Sequence, residues 1–227
     1  MIRFLCVFGS ILCFTGILAQ EMDADLMKIK HRMDSIEQFS ADLQLDLEAP
    51  FINMPTKHAS MRYQKGKDTK FSSDDFVVLP KRGLDFAFSE LFEHPFITVN
   101  RGVEIKNNQE VKVVNVIPTD NRSDMALATL YLDVENERIA GSEITTKKNG
   151  TYKLSMQYEK KEAILPDYVE VSFAMEKLKI PLNFMGSDTQ IDRKTMRNMD
   201  TKTGKVMLQI TNYSINSLPI NQLRNIP

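Results

Sequence analysis

Between residues 23 and 48 the apolar positions change period with no glycine or proline to mark the change. Leu26, Ile29, Met33, Ile36 and Phe39 recur three or four residues apart, which is the spacing of one helix face. Lys28, Lys30, Arg32, Asp34 and Glu37 occupy the rest of that helix, so the spacing predicts an amphipathic helix over residues 23–39. From Ala41 the pattern alternates strictly. Ala41, Leu43, Leu45 and Leu47 face one way and Asp42, Gln44, Asp46 and Glu48 the other, as in a half-buried strand. A helix that packs directly on the strand it runs into needs no turn residue between them.

Alternation then dominates. Strands are predicted over residues 57–64, 69–79, 110–118, 126–135, 138–147, 151–159, 167–176 and 205–216. Turn signals separate several of them: "KGKD" at 65–68, "VENER" at 134–138, "KKNG" at 147–150 and "TKTG" at 201–204. Two segments break the meander. Residues 83–96 are rich in phenylalanine and read as helical around 86–93, stopped by Pro95. Residues 179–204 form a long connection with a short helix near 192–199. One helix followed by many antiparallel strands is an α+β arrangement: a large curved antiparallel sheet covered by an N-terminal helix and short further helices.

Residues 1–20 differ in kind from this pattern. Arg3 precedes an apolar run from Phe4 to Leu18, and Ala19 closes it, which describes a secretory signal peptide followed by one domain over 21–227. The run is short for a membrane span, which needs about 20 apolar residues. Cys6 and Cys13 both fall inside this segment, so the exported chain would have no disulfide, thiolate metal site or cysteine nucleophile. Export without cysteines points to a bacterial periplasm rather than an animal exterior. The formal charge is −1, becoming −2 when Arg3 leaves, and basic residues are dispersed among acids, which gives nucleic acid nothing to bind. The 13 methionines and 13 phenylalanines offer soft, adaptable apolar surface.

Catalytic chemistry finds little support. His31, His58 and His94 lack the short spacing of metal ligands. Asp74 and Asp75 adjoin on a strand and face opposite ways, and "MGSD" at 185–188 lacks a nucleophile elbow and reads as a turn. A non-enzyme with neither metal nor cofactor is expected.

Four stretches in order resemble the LolA-like family of periplasmic lipoprotein carriers: "SIEQFSADLQLDLE", "VVNVIPTDNRSDMALATLYLDVENERIAGSEI", "ITTKKNGTYKLSMQYEKKEAILPDYVEVSF" and "GKVMLQITNYSIN". The resemblance spans most of the chain after residue 20 and extends to RseB-like regulators. It implies a half-open β-barrel, lined with apolar side chains and lidded by helices, that holds lipid or lipoprotein acyl chains in transit to the outer membrane. An inner-membrane donor or outer-membrane acceptor protein would be its partner, and the chain would act as a monomer. The family's lid-holding arginine has no direct counterpart here; Arg62 and Lys65 are the gating candidates near its position. The aspartate-glycine-tryptophan segment expected next is replaced by "SSDDFVVLPKRG". An alternative is a regulatory or envelope-assembly module of the same fold that contacts a membrane protein through 84–96 and 179–204.

On the strands, Leu43, Leu45, Leu47, Met61, Tyr63, Met156, Tyr158, Val169, Val171 and Phe173 are the candidates to line the cavity. Periodicity alone does not divide them between lining and core. Phe86, Phe88, Leu91, Phe92 and Phe96 either cap the core or form a lid or partner-docking surface.

Overall fold

The computed structural model describes residues 22–73, 94–148, 150–176 and 188–217. Asp23 starts helix α1 (Ala24–Asp34) as its N-cap, accepting the N–H groups of Asp25 and Leu26 at 3.1 and 3.2 Å. Leu26 and Ile29 face inward and are fully buried. The helix stops five residues short of the predicted end. Ser35 closes it, and β1 (Ile36–Glu48) begins at once.

Ile36 and Phe39 are therefore strand residues, a correction to the helical reading of their spacing. Ile36 lies opposite Ser217 and Gln38 opposite Asn216, so β1 carries Glu37 as one extra residue. This bulge turns both Ile36 and Phe39 inward, at 3% and 6% exposure, although they are three apart. Strand wins over helix here because β1 is hydrogen-bonded along both sides.

The remaining strands are β2 (Ile52–Asn53), β3 (Lys57–Gln64), β4 (Lys70–Ser72), β5 (Phe96–Lys106), β6 (Gln109–Pro118), β7 (Met125–Asp133), β8 (Arg138–Thr146), β9 (Gly150–Gln157), β10 (Tyr168–Met175), β11 (Gln190–Ile191) and β12 (Lys202–Ser217), with helix α2 (Arg193–Asn198) between the last two. Among the described residues ten strands form one antiparallel sheet in the order β4-β3-β1-β12-β10-β9-β8-β7-β6-β5, and β2 pairs with β11 beside it. Among the described residues the two edge strands, β4 and β5, do not meet, so the curved sheet is a half-open barrel of α+β class, as expected. One core cluster runs from Ala59 and Met61 on β3 to Val114 and Val116 on β6, with α1 packed into it.

Three boundaries differ from the pattern reading. Strand β5 was not anticipated; residues 99–105 are all exposed, and a bulge at Arg101 before Gly102 (φ 90°) interrupts their alternation. Its signal was the turn instead. Asn107 and Asn108, at φ 49° and 61°, make the left-handed two-residue connection that favours hairpins. The "TKTG" stretch lies within β12 rather than in a turn. A Cβ on Gly204 would meet the Phe173 ring at 2.5 Å and the Glu48 carbonyl at 2.9 Å, so this glycine permits close approach. Of the strand predicted over 69–79, Lys70–Ser72 is seen and 74–79 lies outside the described residues.

Candidate functional site

Directly opposed residues of an antiparallel pair point to the same face, so the register maps the inner face residue by residue. One row crosses the sheet through Lys57, Leu45, Leu208, Val169 and Met156. The next crosses through Leu47, Val206, Val171, Leu154, Ser142, Leu130 and Val114. Leu208, Val169, Leu130 and Val114 are closed off from water, at 0–1% exposure. Leu45, Leu47, Val206, Val171 and Leu154 are half-buried, and all of them but Leu47 pack against the core cluster. These five form a continuous apolar strip over β1, β12, β10 and β9, towards the end of the sheet opposite the α1–β1 junction.

The predicted lining residues thus separate into two groups. Leu43, Met61, Met156, Val169 and Phe173 are buried, and the Phe173 ring lies against Gly204. Leu45, Leu47, Tyr63, Tyr158 and Val171 are half-buried. Tyr63 stacks on Phe39 with ring centroids 5.2 Å apart. The Tyr158 hydroxyl donates to the Ile139 carbonyl at 2.8 Å, and burial pushes its ionisation far above the usual phenol range. Both tyrosines belong to the α1 end of the barrel rather than to the strip.

Of the lid candidates, Phe86, Phe88, Leu91 and Phe92 lie outside the described residues; Phe96 opens β5, half-buried against the core. Arg62 is exposed on the outer face, opposite Ser40 and Lys70. Lys65 lies at the α1–β1 junction: its ammonium donates to the Asp34 carbonyl at 2.7 Å and its backbone N–H to the Glu37 carbonyl at 2.8 Å.

Helix α1 is fixed to the sheet at both ends. Asp23 donates its N–H to the Thr98 hydroxyl at 2.9 Å, and Lys112 donates to Asp23 and Asp25 at 3.0 and 2.7 Å. At the other end, the Arg32 guanidinium donates to the carbonyls of Asn136, Glu137 and Glu162.

Lys57 is the inner-face residue that pattern reading passed over. It is 2% exposed, lies opposite Leu45, and donates to both carboxylate oxygens of Asp188 at 2.5 Å. That bond holds the Asp188 carboxyl below the usual carboxylate range. The signal was present in "KHASMRYQ": Lys57 shares the inward phase of Ala59, Met61 and Tyr63.

The outer face differs in character. A shallow groove of about 370 Å³ is edged by the outward side chains of Tyr131, Glu143, Lys153, Ser155, Glu170 and Ser172. The Lys106 ammonium lies 3.1 Å from the centre of the Tyr131 ring, and Lys153 pairs with Glu143 at 3.1 Å. Ser142 and Leu154 of the second inner row also line it, so the groove borders the apolar strip at Leu154. Among the described residues no three His, Cys, Asp or Glu side chains come close enough to hold a metal ion.

No family model matches the chain, and no curated protein matches it. Solved structures do. A domain assigned to outer membrane lipoprotein sorting from Vibrio parahaemolyticus is 15% identical, covering 87% of this chain and 95% of that one, with a TM-score of 0.46. A LolA superfamily protein from Nitrosomonas europaea is 8% identical over 87% and 96%, with a TM-score of 0.46. A DUF1329 family protein from Desulfovibrio piger is 10% identical over 85% and 90%, with a TM-score of 0.48.

Proposed function

We propose that the chain is a periplasmic, non-catalytic carrier that binds a lipid or lipoprotein acyl chains on its inner face for transfer towards the outer membrane. The observation that carries this reading is the half-buried strip of Leu45, Leu47, Val206, Val171 and Leu154 on a sheet left open at its edges. Half-buried side chains gain further burial when hydrocarbon covers them, at about 25 cal/mol per Å² of apolar surface. The leader-like residues 1–20 support export, and the resemblance of "SIEQFSADLQLDLE" and the later stretches to the LolA-like family supports carriage. The ligand would lie on side chains that already form one wall of the core.

Expression of the full chain in a Gram-negative host, recovery from the periplasm and native mass spectrometry test the reading. Lipid adducts are expected. Their absence, together with failure to bind a fluorescent fatty-acid probe, would overturn it.

A second reading, a regulatory or assembly module that docks a membrane-protein partner, is favoured by one observation. Strand β5 is an edge strand exposed from Val99 to Ile105, with Val103 and Ile105 at 57% and 68% exposure. On this reading, periplasmic crosslinking from β5 would capture a membrane protein with a chain that carries no lipid.

A further inference from the structure

We infer that Lys57 is an anion-exchange point at the head of the apolar strip, reading the carboxylate or phosphate of an anionic lipid whose hydrocarbon lies along Leu45, Leu47, Val206, Val171 and Leu154. This rests on the lipid-binding reading and narrows it to a headgroup chemistry.

The ion pair between Lys57 and Asp188 is asymmetric. The Lys57 side chain is 2% exposed and the Asp188 side chain 53%. A buried ammonium with no anionic partner is strongly unfavourable. A half-exposed carboxylate can turn into water at small cost. The cation is therefore fixed and the anion replaceable. Lys57 stands at the end of β3, anchored by pairing with β1, whereas Asp188 lies in the turn before the short ribbon of β11 on β2. A ligand anion that takes the place of Asp188 leaves Lys57 satisfied and returns the aspartate to solvent.

Lys57 also stands where the strip begins. It opposes Leu45, the first of the five half-buried residues, and the strip continues across β12 and β10 to Leu154 on β9. From β3 to β9 is four strand spacings, about 19 Å. One leaflet of a bilayer is half of a roughly 30 Å hydrocarbon core, so a membrane acyl chain extends about 15 Å. A headgroup at Lys57 thus leaves room for one extended chain on the strip. Lysine suits this use because its compact ammonium accepts a carboxylate or a phosphate without demanding a fixed fork geometry.

Displacement of the neutral dye N-phenyl-1-naphthylamine from delipidated protein, recovered from the periplasm, tests the assignment. Palmitate is compared with palmityl alcohol, and dipalmitoyl phosphatidic acid with dipalmitoylglycerol, so that each arm reports one anion. The wild-type chain should favour at least one anionic lipid over its neutral counterpart by about tenfold, the scale of a hydrogen bond between charged groups. Lys57→Met should erase that preference and keep the neutral affinity, and Lys57→Arg should retain it. Asp188→Asn, which removes the competing anion and leaves Lys57 in place, should tighten anionic binding several-fold. Equal affinity for charged and neutral lipids in the wild-type chain, an unchanged preference in Lys57→Met, or no gain in Asp188→Asn would each overturn the inference. Binding of neither class would overturn the lipid reading beneath it.

Discussion

Lys112 on β6 and Asp25 in the first turn of α1 meet at 2.7 Å, and the same ammonium lies 2.8 Å from the N-capping Asp23. One lysine thus fastens the start of the covering helix to the inner face. The hydrogen bond from Lys112 is the largest influence holding the Asp25 carboxyl below its ordinary 3.8. Burial pulls the Lys112 ammonium down, but its bonds to Asp23 and Asp25 leave it above its ordinary 10.5. A depressed carboxylate stabilises fully above its unfolded value and loses that contribution as pH falls through the folded one. A raised lysine contributes below its unfolded value and is lost as pH rises through the folded one. The clamp is therefore intact from about pH 5 to pH 9. Lys112→Met should cost about 1–2 kcal/mol at pH 7, discounted for the partial exposure of Asp25. Urea unfolding should show this loss shrinking at pH 3; an equal loss at both values would contradict the clamp.

Arg32 secures the other end of α1 to two separate loops through three carbonyls, those of Asn136, Glu137 and Glu162. Arg32→Gln should destabilise by about 1–3 kcal/mol and speed hydrogen exchange in the 134–137 turn. Arg32→Lys should recover only part of this, because a point charge does not reproduce the fork. Full recovery by lysine would show that charge alone matters.

Glu37 acts by occupying space in the register, not by its side chain, whose ammonium partner Lys65 is 3.4 Å away on the surface. Glu37→Ala should change stability by less than about 0.5 kcal/mol. Deleting Glu37 removes the bulge and turns Ile36 away from the core, at a cost of about 2–4 kcal/mol. Similar midpoints for the two variants in a chemical melt would refute the bulge as the reason Ile36 faces inward.

The two inner-face groups should separate function from stability. Leu208→Ala, at 1% exposure, should cost about 2–4 kcal/mol with lipid binding retained in the folded fraction. Val171→Ser on the half-buried strip should weaken fatty-acid binding while costing about 1 kcal/mol or less. Loss of binding in both, or in neither, would remove the strip from the site.

The alternation of Ala41, Leu43, Leu45 and Leu47, and its repetition in 57–64, 110–118 and 167–176, was enough to establish a large antiparallel sheet with one apolar face. That follows because a strand has only two faces, so the core-facing set is written into every second residue. The short helix near 192–199 was legible as well, and the structure adds its cap: Asp192 accepts two backbone N–H groups within three residues of itself. Lys57 stands in phase with the apolar residues of β3, but a reading that follows apolar residues alone passes over it.

Tertiary structure decided what periodicity leaves degenerate. Apolar residues three apart fit a helix face or a bulged strand equally well, and only the partners on both sides of β1 made Ile36–Phe39 the second. In β5 the bulge at Arg101 shifts the phase between Val99 and Val103, and hydrogen bonds to β6 rather than burial hold its exposed part in place. The division of the inner leucines came last. Leu43 and Leu45 are alike in sequence, and what separates them is register: Leu43 lies between Ala59 and Ile210, which close over it, while Leu45 lies beside Lys57 at the margin of the half-buried strip. Coverage from distant strands is a property of the sheet's curvature, and no single strand encodes it.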